Sequence, residues 1–219
     1  MNKIKKTVPV VERILSVNDN LAQENRNLLN SKDILAINIM ASPGSGKTSL
    51  ILRTIEALSD RIRIGVIEGD TAPVTIDSDK VSSLDIPVVQ INTGGECHLD
   101  ASMVRRGMDA LDLSHINLLI IENVGNLVCP AAFRLGEHRN IVVASVPEGD
   151  DKPYKYPNIY RGLDAMVLNK IDLLPYVDFD MEYFKAGVTA LNPGVQFFEL
   201  SCKTEEGIDN WSKWILEQI

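Results

Sequence analysis

From residue 34 onward the chain alternates between short apolar runs and longer mixed segments. The runs are Ile34–Met40, Arg63–Glu68, Pro87–Ile91, Ile116–Glu122, Asn140–Val146, Ala165–Asn169 and Val195–Leu200. Several are apolar almost throughout, as in Ile116-Asn117-Leu118-Leu119-Ile120-Ile121. A strand with one wet face alternates apolar and polar residues, whereas a strand covered on both faces has no need to. The intervening segments 47–58, 97–111, 179–191 and 205–218 have helix-like composition and length. The alternation predicts a three-layer α/β fold, a mainly parallel seven-stranded sheet with helices on both faces and right-handed crossovers. Such sheets place ligands at the carboxyl ends of their strands.

Residues 8–30 have near-helical apolar spacing at Val11, Ile14, Leu15, Leu21, Leu28 and Leu29, and 30–33 break it. This predicts an amphipathic N-terminal helix within 1–33, packed on a nucleotide domain spanning 34–219. A length of 219 residues suits one such domain, and 45% hydrophobic with 24% charged residues argues against a disordered chain. The net charge of −8 disfavours a general nucleic-acid partner. No apolar run reaches the roughly 18–20 residues that span a bilayer. The basic start, Met1 to Lys6, leads into polar sequence and does not read as a secretory signal. Three cysteines make a poor disulfide framework and fit a reducing cytoplasm.

The first run leads into Ala41-Ser42-Pro43-Gly44-Ser45-Gly46-Lys47-Thr48. This is the phosphate-loop pattern of the P-loop NTPase fold, with Ala41 replacing the first glycine. Gly44, Ser45 and Gly46 let backbone amides turn toward phosphate oxygens. Lys47 reaches the β- and γ-phosphates, and Thr48 places its hydroxyl on Mg²⁺. Ser49 follows in the helix start, whose positive end adds to the anion site.

Other strand ends carry matching chemistry. Glu122, three residues before Gly125, suits a Mg²⁺-holding acid with the Gly125 amide sensing the γ-phosphate. Asp70 is a candidate second acid near the metal; its ordinary alternative is a turn or helix-cap residue. Asn169-Lys170-Ile171-Asp172 matches the guanine-reading motif N-K-x-D. The Asp172 carboxylate accepts from N1–H and the 2-amine of guanine, which adenine cannot offer. Lys170 lays its stem along the base. Ser201-Cys202-Lys203 resembles the S-A-K element that supports the base, with Cys202 read as a packed side chain. Together these point to GTP, and to hydrolysis to GDP. The rival is a small phosphate-loop kinase or ATP-driven ligase, against which N-K-I-D speaks.

Thr93-Gly94-Gly95-Glu96-Cys97-His98-Leu99-Asp100 places a thiol beside an imidazole, and Cys129 lies four residues past Gly125. Thiolate plus imidazole suits Zn²⁺ or Ni²⁺. Equally, Cys97 and Cys129 can be packed thiols and His98 a surface residue. Three ligands leave a tetrahedral site open, for completion by solvent or a second subunit. His115 and His138 read as ordinary surface or cap residues. The charge run 148–155 reads as a solvated loop; a lysine donated from it across a dimer is a minor alternative.

The phosphate loop, E-G-D, T-G-G-E-C-H-L-D-A, E-N-V-G-N-L-V-C-P and N-K-I-D occur here in the order that resembles the hydrogenase nickel-incorporation GTPases, the HypB family. The resemblance covers residues 34–219. The related urease accessory GTPases carry Cys-Pro-His instead. The resemblance implies a slow GTPase that dimerises with nucleotide and delivers Ni²⁺ during [NiFe]-hydrogenase maturation, with Cys97, His98 and Cys129 as its Ni²⁺ or Zn²⁺ ligands. It implies the hydrogenase large subunit and a maturation factor as partners. A urease-type role and a regulatory GTPase with structural zinc are the alternatives. This chain has no cysteine before residue 97 and three histidines in all. The N-terminal C-x-x-C-G-C nickel site and His-rich storage tract of some members are therefore not expected.

Overall fold

The computed structural model describes residues 10–71 and 86–219, with side chains from Ile14 onward. The reading of the basic N-terminus falls outside these residues. The strands are β1 (Leu35–Ala41), β2 (Ile64–Asp70), β3 (Val88–Asn92), β4 (Leu118–Glu122), β5 (Arg139–Ser145), β6 (Ala165–Asn169) and β7 (Gln196–Glu199). They form one seven-stranded sheet of order β3-β2-β4-β1-β5-β6-β7. Every pairing is parallel. All seven carboxyl ends therefore lie along one edge.

The helices are α1 (Val10–Asn30), α2 (Lys47–Leu58), α3 (Ala101–Ala110), the short α4 (Lys152–Lys155) and α5 (Pro157–Tyr160), α6 (Met181–Leu191) and α7 (Ile208–Gln218). They cover both faces. Ile37, Ile39 and Ala41 pack with Leu50, Ile51 and Ile55 of α2 and with Trp211 and Ile215 of α7. On the opposite face Ala36 joins Leu29 of α1 with Val104 and Met108 of α3. Met40 joins Ile159, Tyr160 and Phe184 farther along that face. All seven β1 residues are buried, which is why the run carries no alternation.

α1 departs from the periodicity argument. Its buried stripe is Asn18, Ala22, Asn25 and Leu29, whereas Ile14 is 55% exposed. The asparagines are buried because backbone groups need them. Asn18 Oδ1 accepts from Ala101 N (2.9 Å) and its Nδ2 donates to Arg134 O (2.8 Å). Asn25 Nδ2 donates to Ala101 O (2.8 Å) and Leu135 O (2.9 Å). Gly136, at φ 104°, lets α1 come close; a Cβ there would meet Asn25 Cβ at 2.6 Å.

Three further expectations are corrected. α3 starts at Ala101 rather than 97, because Asp100 caps it by accepting from Met103 N at 2.7 Å. The charge run 148–155 is folded, not a free loop: Pro153 is buried in α4, and Lys155 pairs with Asp151. His138 is half-buried rather than a surface residue, with Nδ1 accepting from Ala36 N (2.9 Å) and Nε2 facing Asn30 Oδ1 (2.8 Å).

Candidate functional site

The parallel sheet gathers the predicted residues at its carboxyl edge. β1 leads into residues 42–46, and Gly46 at φ 99° caps α2 in the left-handed region. A Cβ at Gly46 would collide with the Asn169 amide, so glycine is needed both for the turn and for this approach. Lys47 and Thr48 open α2. A cavity of about 550 Å³ is lined by Lys47, Thr48, Asp70, Glu122, Gly125 and Lys170, among others.

Thr48 Oγ1 donates to Glu122 Oε1 at 2.9 Å, joining the helix start to the end of β4. Asp70 is the last residue of β2 and also lines the cavity. Sequence reasoning missed Glu68. It stands opposite Glu122 in the β2–β4 register, is 5% exposed, and lines the same cavity. A carboxylate inside an otherwise apolar strand was the available signal. A hydroxyl and carboxylates are hard oxygen donors, the set that suits Mg²⁺.

The N-K-x-D residues and the Ser201-Cys202-Lys203 segment lie together. Asn169, 1% exposed, donates from Nδ2 to Ser45 O (3.0 Å), and its Oδ1 accepts from Lys170 N (2.7 Å) and Cys202 N (3.1 Å). One amide thus ties together the phosphate loop, N-K-x-D and the β7 exit. Lys170, at φ 62°, donates from Nζ to Gly44 O at 2.7 Å. Ser201 Oγ donates to Asp172 Oδ1 at 2.6 Å and accepts from Lys203 N and Thr204 N at 3.2 Å each. Cys202 is buried, and burial pushes its thiol up to about 11.

Beside this site lies the Cys/His group. Gly94 and Gly95, at φ 66° and 98°, reverse the chain after β3 and bring Cys97 back toward β4. On the other strand exit, Asn126 Oδ1 accepts from Val128 N (2.7 Å) and Cys129 N (3.3 Å), turning Cys129 inward. Because α3 starts later, Cys97 and His98 escape the roughly 100° separation of helical neighbours. The ligand atoms of Cys97, His98 and Cys129 all lie within 4.8 Å of one another. His98 stacks on Phe133 with ring centroids 3.9 Å apart.

The structure joins Cys97 to Cys129 as a disulfide, with Cα atoms 6.2 Å apart. The odd cysteine count and the 32-residue separation gave no sign of this pairing, because the fold rather than the spacing closes it. Disulfide and metal ligation are alternative states, since only the thiolate is a metal ligand. A larger cavity, about 810 Å³, lies under α1 with Arg26, Arg134 and Phe133 on its walls; it reaches Pro130 at the end of the N-L-V-C-P segment but none of the nucleotide motifs.

Comparison with known proteins agrees with this geometry. The family described as CobW/HypB/UreG, nucleotide-binding domain, matches residues 35–199. A hydrogenase maturation factor HypB from Azotobacter vinelandii is 46% identical over 209 residues, covering 95% of this chain and 69% of that one. The crystal structure of hydrogenase maturation factor HypB from Archaeoglobus fulgidus superposes with a TM-score of 0.86 at 40% identity, over 92% of this chain and 98% of that one. HypB from Helicobacter pylori, solved in complex with nickel, gives 0.87 at 36% identity, over 92% and 94%. A phosphate-loop α/β domain with thiols and an imidazole beside its β4 exit, and with these relatives, belongs to the HypB family of hydrogenase maturation factors.

Proposed function

We propose that this chain is a GTP-hydrolysing metallochaperone that hands nickel to a [NiFe]-hydrogenase large subunit during maturation, working in the cytoplasm. One observation carries the reading: Cys97, His98 and Cys129 converge beside the loop that follows Glu122, so one segment serves both the cavity and the trio.

In this reading Gly44 to Ser49 cradle the phosphates, Lys47 offsets their charge, and Asp172, with Asn169, Lys170 and Ser201 to Lys203, selects guanine. Thr48, Glu122 and Asp70 would hold Mg²⁺, which when bound would supply charge neutralisation for phosphoryl transfer. Positioning and electrostatics carry most of phosphoryl transfer, so the slow intrinsic hydrolysis needs no dedicated base.

The cargo sits on the reduced Cys97 and Cys129 thiolates and the His98 imidazole, a donor set that suits Ni²⁺ or Zn²⁺. The trio leaves a coordination position open. Val128 beside it is 62% exposed, an apolar surface that a second copy covers in a nucleotide-dependent homodimer. A maturation partner supplies the nickel.

The test is nickel binding to the reduced chain with GDP and with a non-hydrolysable GTP analogue. The reading expects the two affinities to differ, and equal affinities would overturn coupled delivery. Complementation of hydrogenase activity in a deletion strain then separates this role from a urease-type one and from a regulatory GTPase with structural zinc.

A further inference from the structure

Asn123 lies between Glu122 and the phosphate-facing loop, and it is fully buried. Its Oδ1 accepts two backbone amides: Val124 N at 3.0 Å and Leu99 N at 3.1 Å. Val124 lines the nucleotide cavity, whereas Leu99 follows directly on Cys97-His98. A carbonyl oxygen has two lone pairs, and here one is spent on each loop.

The other end of the same amide is fixed. Asn123 Nδ2 donates to Asn38 Oδ1 at 3.2 Å, and Asn38 Nδ2 donates to Asn140 Oδ1 at 3.0 Å. Asn140 Nδ2 donates to Glu137 Oε1 at 2.8 Å, and Glu137 Oε2 accepts from Leu135 N at 2.8 Å. A row of amides, buried at Asn123 and Asn38 and partly exposed at Asn140, thus runs from the β4 exit across β1 to β5 and holds the Asn123 side chain in one rotamer.

Leu99 is equally confined. Its side chain is buried against Gly69 of β2, where a Cβ would meet it at 2.6 Å. A shift of the Val124 amide therefore reaches Leu99 through an oxygen that cannot swing to follow only one of them. Buried amides make such exchanges costly to leave unsatisfied, so the two loops must rearrange together.

We propose that Asn123 is the positioning residue that transmits the state of the nucleotide-facing loop to the Cys97-His98 segment. This rests on the nucleotide-coupled metal site proposed above. Asn123 borders the nucleotide cavity, but its amide is spent on Val124 N, Leu99 N and Asn38 Oδ1, so it acts through these partners rather than as a ligand.

The test uses the reduced full chain and Ni²⁺ titrations with GDP and with a non-hydrolysable GTP analogue, comparing the wild type with Asn123→Ala. The expected result is that the affinity ratio between the two states collapses to within about twofold of one in the variant. A ratio kept at its wild-type value, even with both affinities lowered, would overturn the relay and leave Asn123 a structural residue. A wild-type ratio of one would instead overturn the coupled reading on which it rests. Should the variant not fold, amide hydrogen exchange on the unmodified chain decides. Leu99 and Val124 protection changing together between nucleotide states supports the relay, and Leu99 protection constant while Val124 changes overturns it.

Discussion

Ser201 Oγ donates to Asp172 Oδ1 across 2.6 Å, although 29 residues separate them in the chain. The bond holds the carboxylate in one orientation, the one the proposed guanine contact would use. Asp172→Asn exchanges one acceptor for a donor, which suits the 2-oxo group of xanthine. GTP affinity should fall at least about tenfold, the loss of a charge-assisted hydrogen bond, while XTP affinity rises. Competition binding with the two nucleotides checks this, and unchanged GTP preference would count against the guanine assignment.

The Thr48–Glu122 contact brings together the hydroxyl and the carboxylate proposed above to hold Mg²⁺. Glu122→Gln should lower phosphate release by about 10²-fold or more, as expected for loss of transition-state charge stabilisation. EDTA should abolish hydrolysis in the wild type. A Glu68→Gln variant measured in parallel tells whether the neighbouring buried acid shares the role.

Asn25 holds the carbonyls of Ala101 and Leu135 together from α1. Asn25→Leu keeps the volume but removes both donors. Leaving buried acceptors without partners should cost about 1–3 kcal/mol. The urea midpoint should drop with little change in slope.

His138 is held neutral. Burial, and then Arg26 and Arg139, lower its pKa to about 4 from the ordinary 6.5. Between pH 6.5 and about 4 the unfolded chain takes up a proton that the folded chain refuses. This contribution to stability is therefore complete above pH 6.5 and is lost as pH falls toward 4. Because the ring is only half-buried, the effect is on the order of 1–2 kcal/mol, below what the full shift implies. Urea unfolding at pH 7 and pH 4.5 should show it, with a flatter profile in His138→Gln.

Thiol labelling should separate the cysteines. In the reduced chain Cys97 and Cys129, half-buried at the surface, should react quickly and be protected by Ni²⁺. Cys202 should react slowly, being buried with its thiol held protonated. Three equally fast thiols would contradict the Cys202 environment.

The sheet and the phosphate-loop motif were legible in the sequence because both are written locally. Runs such as Ala165–Asn169 need burial on two faces, and Gly46-Lys47-Thr48 needs one turn. What escaped was polar and long-range. Asn18 and Asn25 look like solvent residues in a periodicity argument, since hydropathy cannot register a backbone carbonyl 76 or 110 residues away. Glu68 was hidden because its meaning depends on standing opposite Glu122, a register that exists only after β2 and β4 pair. Cys97 and Cys129 were grouped by the family resemblance and not by their spacing, because their contact exists only once two strand exits face each other.

The strictly parallel sheet also offers something practical. Among the described residues, its amino-end edge is made of turns that carry none of the predicted ligand residues, such as the one holding Gly194 between α6 and β7. A Cβ at Gly194 would meet nothing within 4 Å, and the backbone there is not in the left-handed region. A fluorophore or surface tether attached at these turns sits across the sheet from the carboxyl-edge chemistry. It can report on, or immobilise, a working molecule without entering either site.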